Sequence, residues 1–316
     1  MDIKILDQEH GDKWAMYHGD AIEVVKGLPD ESVHYSIFSP PFSNLFTYSD
    51  SERDVGNCKN DDQFYNHFAF LVSDLYRTLK LGRLVSIHCM DGLATITHDG
   101  FIGLKDMPGL VISLFQSAGF IYHSRVCIWK DPLVQATRTK ALALAHKQIS
   151  KDSTRCAMGL PDYIVTMRKP GVNPEPVSHG RGFEHYIGEQ DEPNKQKTNI
   201  AKTNKYSHYV WQRYASPVWW DIRQTNTLNI QAARSEKDEK HICPLQLDTI
   251  ARCLELWSNP NDIVLSPFAG IGSEGYQSLL MDRRFIGIEL KKSYYNQAVR
   301  NLKSTEIKGQ QMELFG

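Results

Sequence analysis

The sequence predicts an α/β fold in which helices flank a mostly parallel sheet. Short apolar segments alternate with segments whose apolar residues recur at helical spacing, as where the strand Val33–Phe38 precedes a helix at 62–80. The last third of the chain repeats this order, with strands at 263–265 and 285–288 and a helix between them. With 316 residues, 41% of them hydrophobic, the chain is long enough for one large domain with a sizeable insert.

The first third carries the elements that position the first motif. Strands are expected where apolar residues run on to a turn residue, and helices where apolar residues recur every three or four positions. The clearest helical spacing ends at Leu79, and Gly82 stops that helix. In chain order the expected elements are a strand at 14–18, a helix at 21–28, a strand at Val33–Phe38, a helix at 62–80, a strand at 84–89, a helix at 110–118, and strands at 120–129 and 162–167.

The middle of the chain differs from both ends. After a proline-rich stretch at 170–176 it is polar and rich in Asn, Gln and Lys up to about residue 239. We therefore expect two halves of one core, at 1–169 and 240–316, separated by a small irregular insert at 170–239. No run of about 18 apolar residues is present, and the six cysteines form no Cys-x-x-Cys pair. These features predict a cytoplasmic protein without a membrane segment, a metal site or disulfides.

The stretch at 262–276 carries the sharpest signal for a cofactor. An apolar strand runs into Gly270-Ile271-Gly272 and then into a helix, and glycine permits the tight turn and close approach that a ligand needs. Glu289 ends the next strand, where a carboxylate can accept hydrogen bonds from both ribose hydroxyls of an adenosine. A Gly-x-Gly turn alone has a structural role as often as it binds a ligand. The strand, loop, helix, strand and terminal acid together indicate a cofactor that contains adenosine.

A second motif, Ser39-Pro40-Pro41-Phe42, directly follows the strand Val33–Phe38. Two prolines after a strand also occur in ordinary loops, but α/β folds place active sites at the carboxyl ends of parallel strands. This stretch resembles the D/N/S-P-P-Y/F/W motif of amino-methyltransferases, and the stretch from Pro267 to Gly272 resembles the S-adenosylmethionine (SAM) motif of that family. With the catalytic motif first and the SAM motif last, the chain resembles the β group of DNA amino-methyltransferases, and in particular the small orphan enzymes of phages and prophages.

The resemblance implies a mechanism. Ser39 Oγ and the Pro40 carbonyl would each accept a hydrogen bond from one N–H group of an exocyclic amino group. These two hydrogen bonds would make the amino nitrogen more nucleophilic in the transition state. Pro41 restricts the loop, and Phe42 would stack on a base flipped out of the duplex. The methyl group would pass directly from the sulfur of SAM. Asp20 is expected either to touch the base or cofactor or to cap the helix that follows it.

The resemblance also assigns the cofactor site. Gly270 and Gly272 would bound the methionine part of SAM, Glu289 would hold the ribose, and Leu290 would flank the adenine. The segment that ends at Pro244 would cover the methionine end, although Pro244 is also a common helix start. The expected cofactor-binding residues are Asp20, His241, Pro244, Ser266, Pro267, Phe268, Gly270, Gly272, Ser273, Glu289 and Leu290.

The insert carries the charge expected of a DNA-reading segment. The whole chain is nearly neutral, with 36 basic and 37 acidic residues, but Asp221 is the one acid between 195 and 235. Basic and aromatic side chains interleave there, which suits phosphate contact and base stacking. The alternative is that Trp219 and Trp220 anchor the insert to the core. The expected DNA-binding residues are Lys195, Lys197, Lys202, Lys205, Arg213, Trp219, Trp220 and Arg223.

The target base follows less directly from the residues. Ser39 can accept a hydrogen bond from the amino group of adenine or of cytosine; serine at this motif position is more typical of N4-cytosine enzymes, whereas the orphan enzymes favour N6 of adenine with little sequence selectivity. We expect adenine as the target base, double-stranded DNA as the substrate, and a protein that acts as a monomer or a homodimer.

The family usually has Asp where this chain has Ser266, so a catalytically weak DNA-binding relative is the alternative of another class. Methylation of RNA is a third. No Pro-Cys pair is present, which excludes cysteine-dependent methylation of cytosine C5.

Overall fold

The computed structural model describes residues 5–41, 61–94, 96–101, 103–139, 144–156, 158–189, 205–229 and 244–315. Within this part of the chain, one large sheet is covered by helices on both faces, which confirms the predicted fold class. No helix among these residues is long and apolar enough to cross a membrane.

Nine strands form the large sheet in the described residues, in the order β1-β2-β11-β10-β3-β4-β8-β7-β9. A separate hairpin of β5 and β6 follows β4. The strands are β1 (Ile5–His10), β2 (Trp14–Gly19), β3 (Val33–Phe38), β4 (Leu79–Met90), β5 (Gly92–Ala94), β6 (Gly103–Lys105), β7 (Ile121–Ile128), β8 (Asp162–Arg168), β9 (Val218–Trp219), β10 (Ile263–Ser266) and β11 (Arg284–Glu289).

The centre of the sheet is parallel. Strands β2, β11, β10, β3 and β4 pair in parallel, while β8 pairs antiparallel with both β4 and β7. Strand β3 is buried along almost its whole length, as expected for a strand covered on both faces. From β3 the chain continues on one side of the sheet, to β4, whereas from β10 it continues on the other, to β11. The loops after β3 and β10 therefore flank the switch point where α/β sheets form a ligand crevice.

The helices divide between the two faces of the sheet. Apolar side chains of α1, α2 and α4 pack on one face, around Phe68 and Phe115, and those of α7, α8 and α9 pack on the other, around Ile250 and Leu302. Truncating a fully buried phenylalanine such as Phe68 costs about 3–5 kcal/mol. The helices are α1 (Ala21–Lys26), α2 (Asp61–Thr78), α3 (Ile96–Asp99), α4 (Met107–Ser117), α5 (Pro132–Thr139), α6 (Lys205–Tyr214), α7 (Leu247–Trp257), α8 (Ser273–Leu280) and α9 (Lys292–Phe315).

The described part of the insert is joined to the core. Helix α6 and strand β9 both come from it, and β9 pairs in parallel with β7 at the edge of the sheet. Phe183, Val210 and Tyr214 form a small apolar cluster of their own. Leu228, near the end of the insert, packs with Ile271 of the glycine loop. The division into 1–169, 170–239 and 240–316 stays a prediction, and the described residues of the insert pack on both halves of the core.

Candidate active site

The glycine loop follows β10 and holds the carboxylate of Glu289. The backbone N–H of Gly270 donates to Glu289 Oε2 at 2.9 Å, and that of Lys291 donates to Oε1 at 2.8 Å. Both glycines of the loop have left-handed backbone conformations, with φ of 53° at Gly270 and 85° at Gly272, which other residues adopt only with strain. The loop and the terminal acid are therefore brought together as the sequence predicts.

The space beside this loop fits a small polar ligand. A Cβ built at Gly270 would meet nothing within 4 Å, so the backbone lies open on that side. Ser266 at the end of β10 is fully buried, and its Oγ has no hydrogen-bond partner among the described residues. A buried hydroxyl without a partner is costly, and a ligand that hydrogen-bonds to it would remove that cost. These observations fit SAM, which supplies an activated methyl group when it is bound.

The remaining predicted cofactor residues lie around the same loop. Pro267 is buried, and Phe268 packs against Phe38 with ring centroids 5.7 Å apart. Ser273 is buried at the first position of α8. Pro244 lies just before α7, and the carbonyl of Leu290 contacts His18 Nε2 at 3.0 Å. His241 is outside the described residues. A cofactor contact of each stays a prediction.

Asp20 caps a helix, which is the structural alternative that the sequence predicts for it. Its Oδ1 accepts from the backbone N–H groups of Ile22 at 2.9 Å and Glu23 at 3.2 Å, so it caps α1. This satisfies two of the donors that a helix start leaves without partners. A contact of Asp20 with the cofactor stays a prediction.

Glu274 is a carboxyl group that the sequence reasoning did not select. It lies in the first turn of α8 and is buried. Burial, with the nearby negative charge of Glu289, raises the pKa of Glu274 to about 8. The side chain is therefore mostly protonated at neutral pH and adds little negative charge beside the glycine loop.

The second motif begins where β3 ends. Ser39 is half-buried, and Pro40 and Pro41 are buried, which fixes the backbone of this loop against the core. Because Val264 and Leu265 of β10 are in register with Tyr35 and Ser36 of β3, the two motif loops leave neighbouring strands at the same edge. Phe42 lies outside the described residues.

A polar chain that the sequence reasoning missed extends from Ser39. Ser39 Oγ lies 2.7 Å from His88 Nδ1, His88 Nε2 lies 3.0 Å from Asp162 Oδ2, and Asp162 Oδ1 lies 2.5 Å from Lys130 Nζ. Neither contact of the Asp162 carboxylate, with the imidazole or with the ammonium group, has the geometry of a straight hydrogen bond, so both are close electrostatic contacts. The signal in the sequence was a polar or charged residue near one end of each of three strands: His88 near the end of β4, Asp162 at the start of β8 and Lys130 just after β7.

Strand register explains why these residues meet. Phe38 is paired with Ile87 in the parallel ladder, so Ser39 and His88 are the next pair along. Asp162 begins β8, opposite Ile128, and Lys130 follows two residues later. Burial alone would raise the pKa of Asp162, but His88 and Lys130 outweigh it and lower the pKa to about 2. The carboxylate of Asp162 is thus charged at neutral pH.

The predicted DNA-binding residues fall into three groups. Lys195, Lys197 and Lys202 lie outside the described residues. Lys205 and Trp220 are exposed, and the guanidinium of Arg213 lies 4.5 Å from the ring centre of Trp220. The Arg223 side chain is half-exposed, but its Nε and Nη2 donate to Asp248 at 2.8 and 2.6 Å. The backbone N–H of Arg223 also donates to this carboxylate.

The position of Trp219 does not fit the DNA contact that the sequence predicts for it. Its side chain is 1% exposed, and its indole N–H donates to the Tyr214 carbonyl at 3.1 Å. A ring buried in this way cannot stack on a nucleic-acid base, so Trp219 anchors the insert to the core, as the alternative interpretation held. Trp220, its neighbour, is 43% exposed at the same edge of the sheet as Ser39.

A cluster of possible metal ligands lies at the opposite edge. His34, Glu175 and Asp262 bring one ligand atom each to within 4.8 Å of the others. However, His34 Nδ1 accepts from the backbone N–H of Ile263, so Nε2 carries the proton and faces Glu175. Arg83 and Lys80 pair with the two carboxylates. The cluster is therefore a network of salt bridges.

The fold and the two motif loops at its switch point define a class, the SAM-dependent methyltransferases. Residues 33–300 match the N6/N4 methyltransferase family, which is described as DNA methylase. The chain belongs to this family and is a SAM-dependent DNA amino-methyltransferase.

Relatives and solved structures cover most of the chain. The DNA adenine methyltransferase YhdJ of Escherichia coli K12 is 47% identical over 288 residues, which cover 90% of this chain and 81% of that protein. The type II methyltransferase M.HindIII of Haemophilus influenzae is 33% identical over 297 residues, 92% of this chain and 84% of that one. TTHA0409 from Thermus thermophilus, complexed with S-adenosyl-L-methionine, has a TM-score of 0.62 at 19% identity and covers 92% of this chain and 95% of its own. PvuII DNA methyltransferase, cytosine-N4-specific, has a TM-score of 0.59 at 14% identity, with coverage of 92% and 86%.

Proposed function

We propose that the enzyme methylates the N6 amino group of adenine in double-stranded DNA, on a base that is flipped out of the helix. The observation that carries the choice of base is the 47% identity, over 90% of this chain, to a relative named as a DNA adenine methyltransferase. The base enters between the loop after β3 and the loop after β10, because these two motifs lie on neighbouring strands. Flipping is required since an amino group inside the duplex is out of reach of both loops.

Ser39 and the glycine loop have separate tasks in this proposal. Ser39 Oγ and the Pro40 carbonyl each accept a hydrogen bond from an N–H of the target amino group, and these bonds orient the amino nitrogen. Glu289, already held by the N–H groups of Gly270 and Lys291, accepts from the ribose of SAM. Ser266 Oγ, buried and without a partner in the described part of the chain, hydrogen-bonds to a polar group of the cofactor. No metal ion takes part.

The DNA lies against the edge of the sheet that carries Ser39. Arg213 and Trp220 of the insert supply a cation and an exposed ring at this edge, and Lys195, Lys197, Lys202 and Lys205 are expected to add positive charge to the contact with DNA. Such contacts bind backbone and bases without a rigid pattern of base-edge hydrogen bonds, which favours low sequence selectivity. We further propose an orphan enzyme of phage or prophage type that acts in the bacterial cytoplasm as a monomer or homodimer.

The second candidate is N4 methylation of cytosine, which serine at position 39 favours through the family pattern. Mass spectrometry of nucleosides from unmethylated DNA incubated with enzyme and SAM separates the two. We expect N6-methyladenine, lost in Ser39→Ala and Gly270→Trp and kept in Ser117→Ala, which alters an exposed serine of α4. N4-methylcytosine instead would keep the mechanism and overturn the choice of base.

A methylated base only in an RNA competitor of the same sequence would overturn DNA as the substrate. The orphan role has its own test. DNA from cells that express the enzyme should resist nucleases that methylation blocks at many unrelated sites, whereas protection confined to one short sequence would indicate a restriction partner.

A further inference from the structure

We propose that His88 is a positioning residue that orients the Ser39 hydroxyl and receives, through Ser39, the proton that the target amino nitrogen releases. The inference rests on the proposed function, because it assumes that an amino group lies against Ser39. It adds a proton route that runs from the motif loop into the sheet, through residues outside the two motifs.

The first step of the argument is the orientation of the imidazole. Asp162 is buried and ionised, and it lies 3.0 Å from His88 Nε2. A carboxylate favours the tautomer that carries the proton on the facing nitrogen. The proton of neutral His88 is therefore on Nε2, and Nδ1 has a free electron pair directed at Ser39.

The second step is the orientation of the Ser39 hydroxyl. Ser39 Oγ is 2.7 Å from Nδ1, a normal distance for an O–H donor and a nitrogen acceptor. Because the hydroxyl proton is given to His88, the oxygen keeps its electron pairs for the substrate. Serine without such a partner could instead turn its proton toward the amino group and fail to accept from it. His88 thus makes Ser39 an acceptor.

The third step is the transfer of the proton. The amino nitrogen forms a bond to the methyl carbon as the carbon–sulfur bond breaks, and the electron pair of that bond stays on sulfur. The nitrogen is then positively charged and loses one proton to Ser39 Oγ, while the hydroxyl proton of Ser39 passes to His88 Nδ1. The imidazolium that results faces Asp162, and it later releases its proton to water. Methylated base, S-adenosylhomocysteine and one proton are the products.

Lys130 limits how strongly Asp162 attracts the proton. Its ammonium lies 2.5 Å from the other carboxylate oxygen, so the pair is close to neutral before the reaction. Asp91 after β4, Asp106 before α4 and Arg125 on β7 are the other charged groups near this end of β4, where they act on the Cys89 thiol. Asp162 is the one described carboxylate in direct contact with the imidazole.

Two variants separate orientation from proton transfer. His88→Asn keeps an acceptor near the position of Nδ1 but cannot take up a proton, whereas His88→Ala removes both properties. We expect single-turnover methyl transfer to fall about 10²-fold in His88→Asn and further in His88→Ala, the range that general acid–base groups supply. The wild-type rate should fall as the pH is lowered, because an imidazole that already carries two protons cannot accept the proton from Ser39, whereas the rate of His88→Asn should not change over the same pH range.

A third variant tests the tautomer. Asp162→Asn can donate to His88 Nε2 and so move the proton to Nδ1, which would then compete for the Ser39 oxygen. We expect a loss of at least about 10²-fold with SAM affinity by calorimetry unchanged, which also shows that the variant folds. His123→Asn is the matched control, because His123 Nδ1 also contacts a serine hydroxyl, at 2.9 Å, but at the opposite end of β7. It should retain wild-type rate and pH profile.

The outcomes distinguish this inference from the proposed function. A wild-type enzyme that transfers no methyl group to an amino nitrogen of DNA would overturn both. A wild-type enzyme that methylates DNA at a rate independent of pH, or a His88→Asn variant that is as fast as wild type, would overturn the role of His88 alone.

Discussion

Arg252 of α7 places its fully buried guanidinium against the carboxylate of Asp221, with distances of 3.0 Å from Nη1 to Oδ1 and 3.2 Å from Nη2 to Oδ2. Asp221 lies in the predicted insert at 170–239 and Arg252 in the predicted half of the core at 240–316, so the pair joins these two parts of the chain. The guanidinium also lies 4.9 Å from the ring centre of Trp219 and 4.7 Å from that of Tyr214. Planar stacking together with a bidentate ion pair is an arrangement that lysine cannot reproduce.

Breaking this pair should destabilise the protein strongly. Arg252→Met leaves the Asp221 carboxylate buried and alone, and such losses cost about 3–5 kcal/mol of the free energy of unfolding. The double variant Arg252→Met, Asp221→Asn should lose less than the sum of the two single variants, because no charge is left without a partner. Urea unfolding measures all three. The exposed pair of Lys303 and Glu9, 3.0 Å apart, is the control, and Lys303→Met should cost under about 1 kcal/mol. Strict additivity at Arg252 and Asp221 would contradict their coupling.

Gly270→Ala should weaken SAM binding more than it weakens the fold. The added Cβ meets no atom within 4 Å, so the cost to the free protein is the strain of φ at 53°, about 1–2 kcal/mol. In the complex the methyl group would occupy the open side of the loop, and we expect at least a tenfold loss of affinity by calorimetry.

Gly119→Ala is the matched control for Gly270→Ala. Gly119 also has a left-handed conformation, with φ at 98°, but it lies beside Tyr76 at the end of α4. This variant should be less stable and bind SAM as wild type does. Equal SAM affinity in Gly270→Ala and wild type would show that the cofactor does not approach this loop.

Glu274 should make stability fall as pH rises. Its pKa is about 8 in the folded protein against an ordinary 4.5, so the folded state holds a proton that the unfolded state has already lost between these values. The favourable contribution is complete below about pH 4.5 and is lost as pH rises to 8. Glu274→Gln has no such dependence. The melting temperature of the variant minus that of wild type should therefore increase from about pH 5 to about pH 8.

The size of this effect has an upper limit. One pKa unit corresponds to about 1.4 kcal/mol, so the full shift at Glu274 amounts to no more than about 5 kcal/mol. Asp152→Asn, at an exposed carboxylate that binds the hydroxyl of Thr154, is a control whose difference should not rise over this range. A pH-independent difference for Glu274→Gln would mean that Glu274 is ionised in the folded state.

Local patterns in the sequence determined much of the core. Strand Val33–Phe38 was predicted with its observed bounds, and the helix expected at 62–80 lies at Asp61–Thr78, because continuous burial and helical spacing leave clear periodicities. Helix α6 and strand β9 were not expected. Strand β9 has two residues, and it exists because it pairs with β7, which no local pattern reveals.

The candidate site was predictable where it depends on motifs and not where it depends on register. Gly270 and Glu289 lie within one strand-helix-strand unit, so their meeting follows from the chain order. His88, Asp162 and Lys130 meet Ser39 only because β8 inserts between β4 and β7. Trp219 and Trp220 are adjacent in the chain, and alternation sends one ring inward and the other outward; the sequence alone did not show which.

That alternation gives the last prediction. Trp220→Ala removes an exposed ring that Arg213 covers at 4.5 Å, and we expect DNA affinity to fall about tenfold, since stacking of one base on an aromatic ring contributes about 1–3 kcal/mol. Its melting temperature should stay near that of wild type. Trp219→Ala empties a buried site and should cost about 3–5 kcal/mol of stability. Tyr122→Ala, exposed at the amino end of β7, is the control for loss of a surface ring and should bind DNA normally. Fluorescence anisotropy with a labelled duplex at fixed salt measures the affinities, and a Trp220→Ala variant with wild-type affinity would place the DNA on another surface.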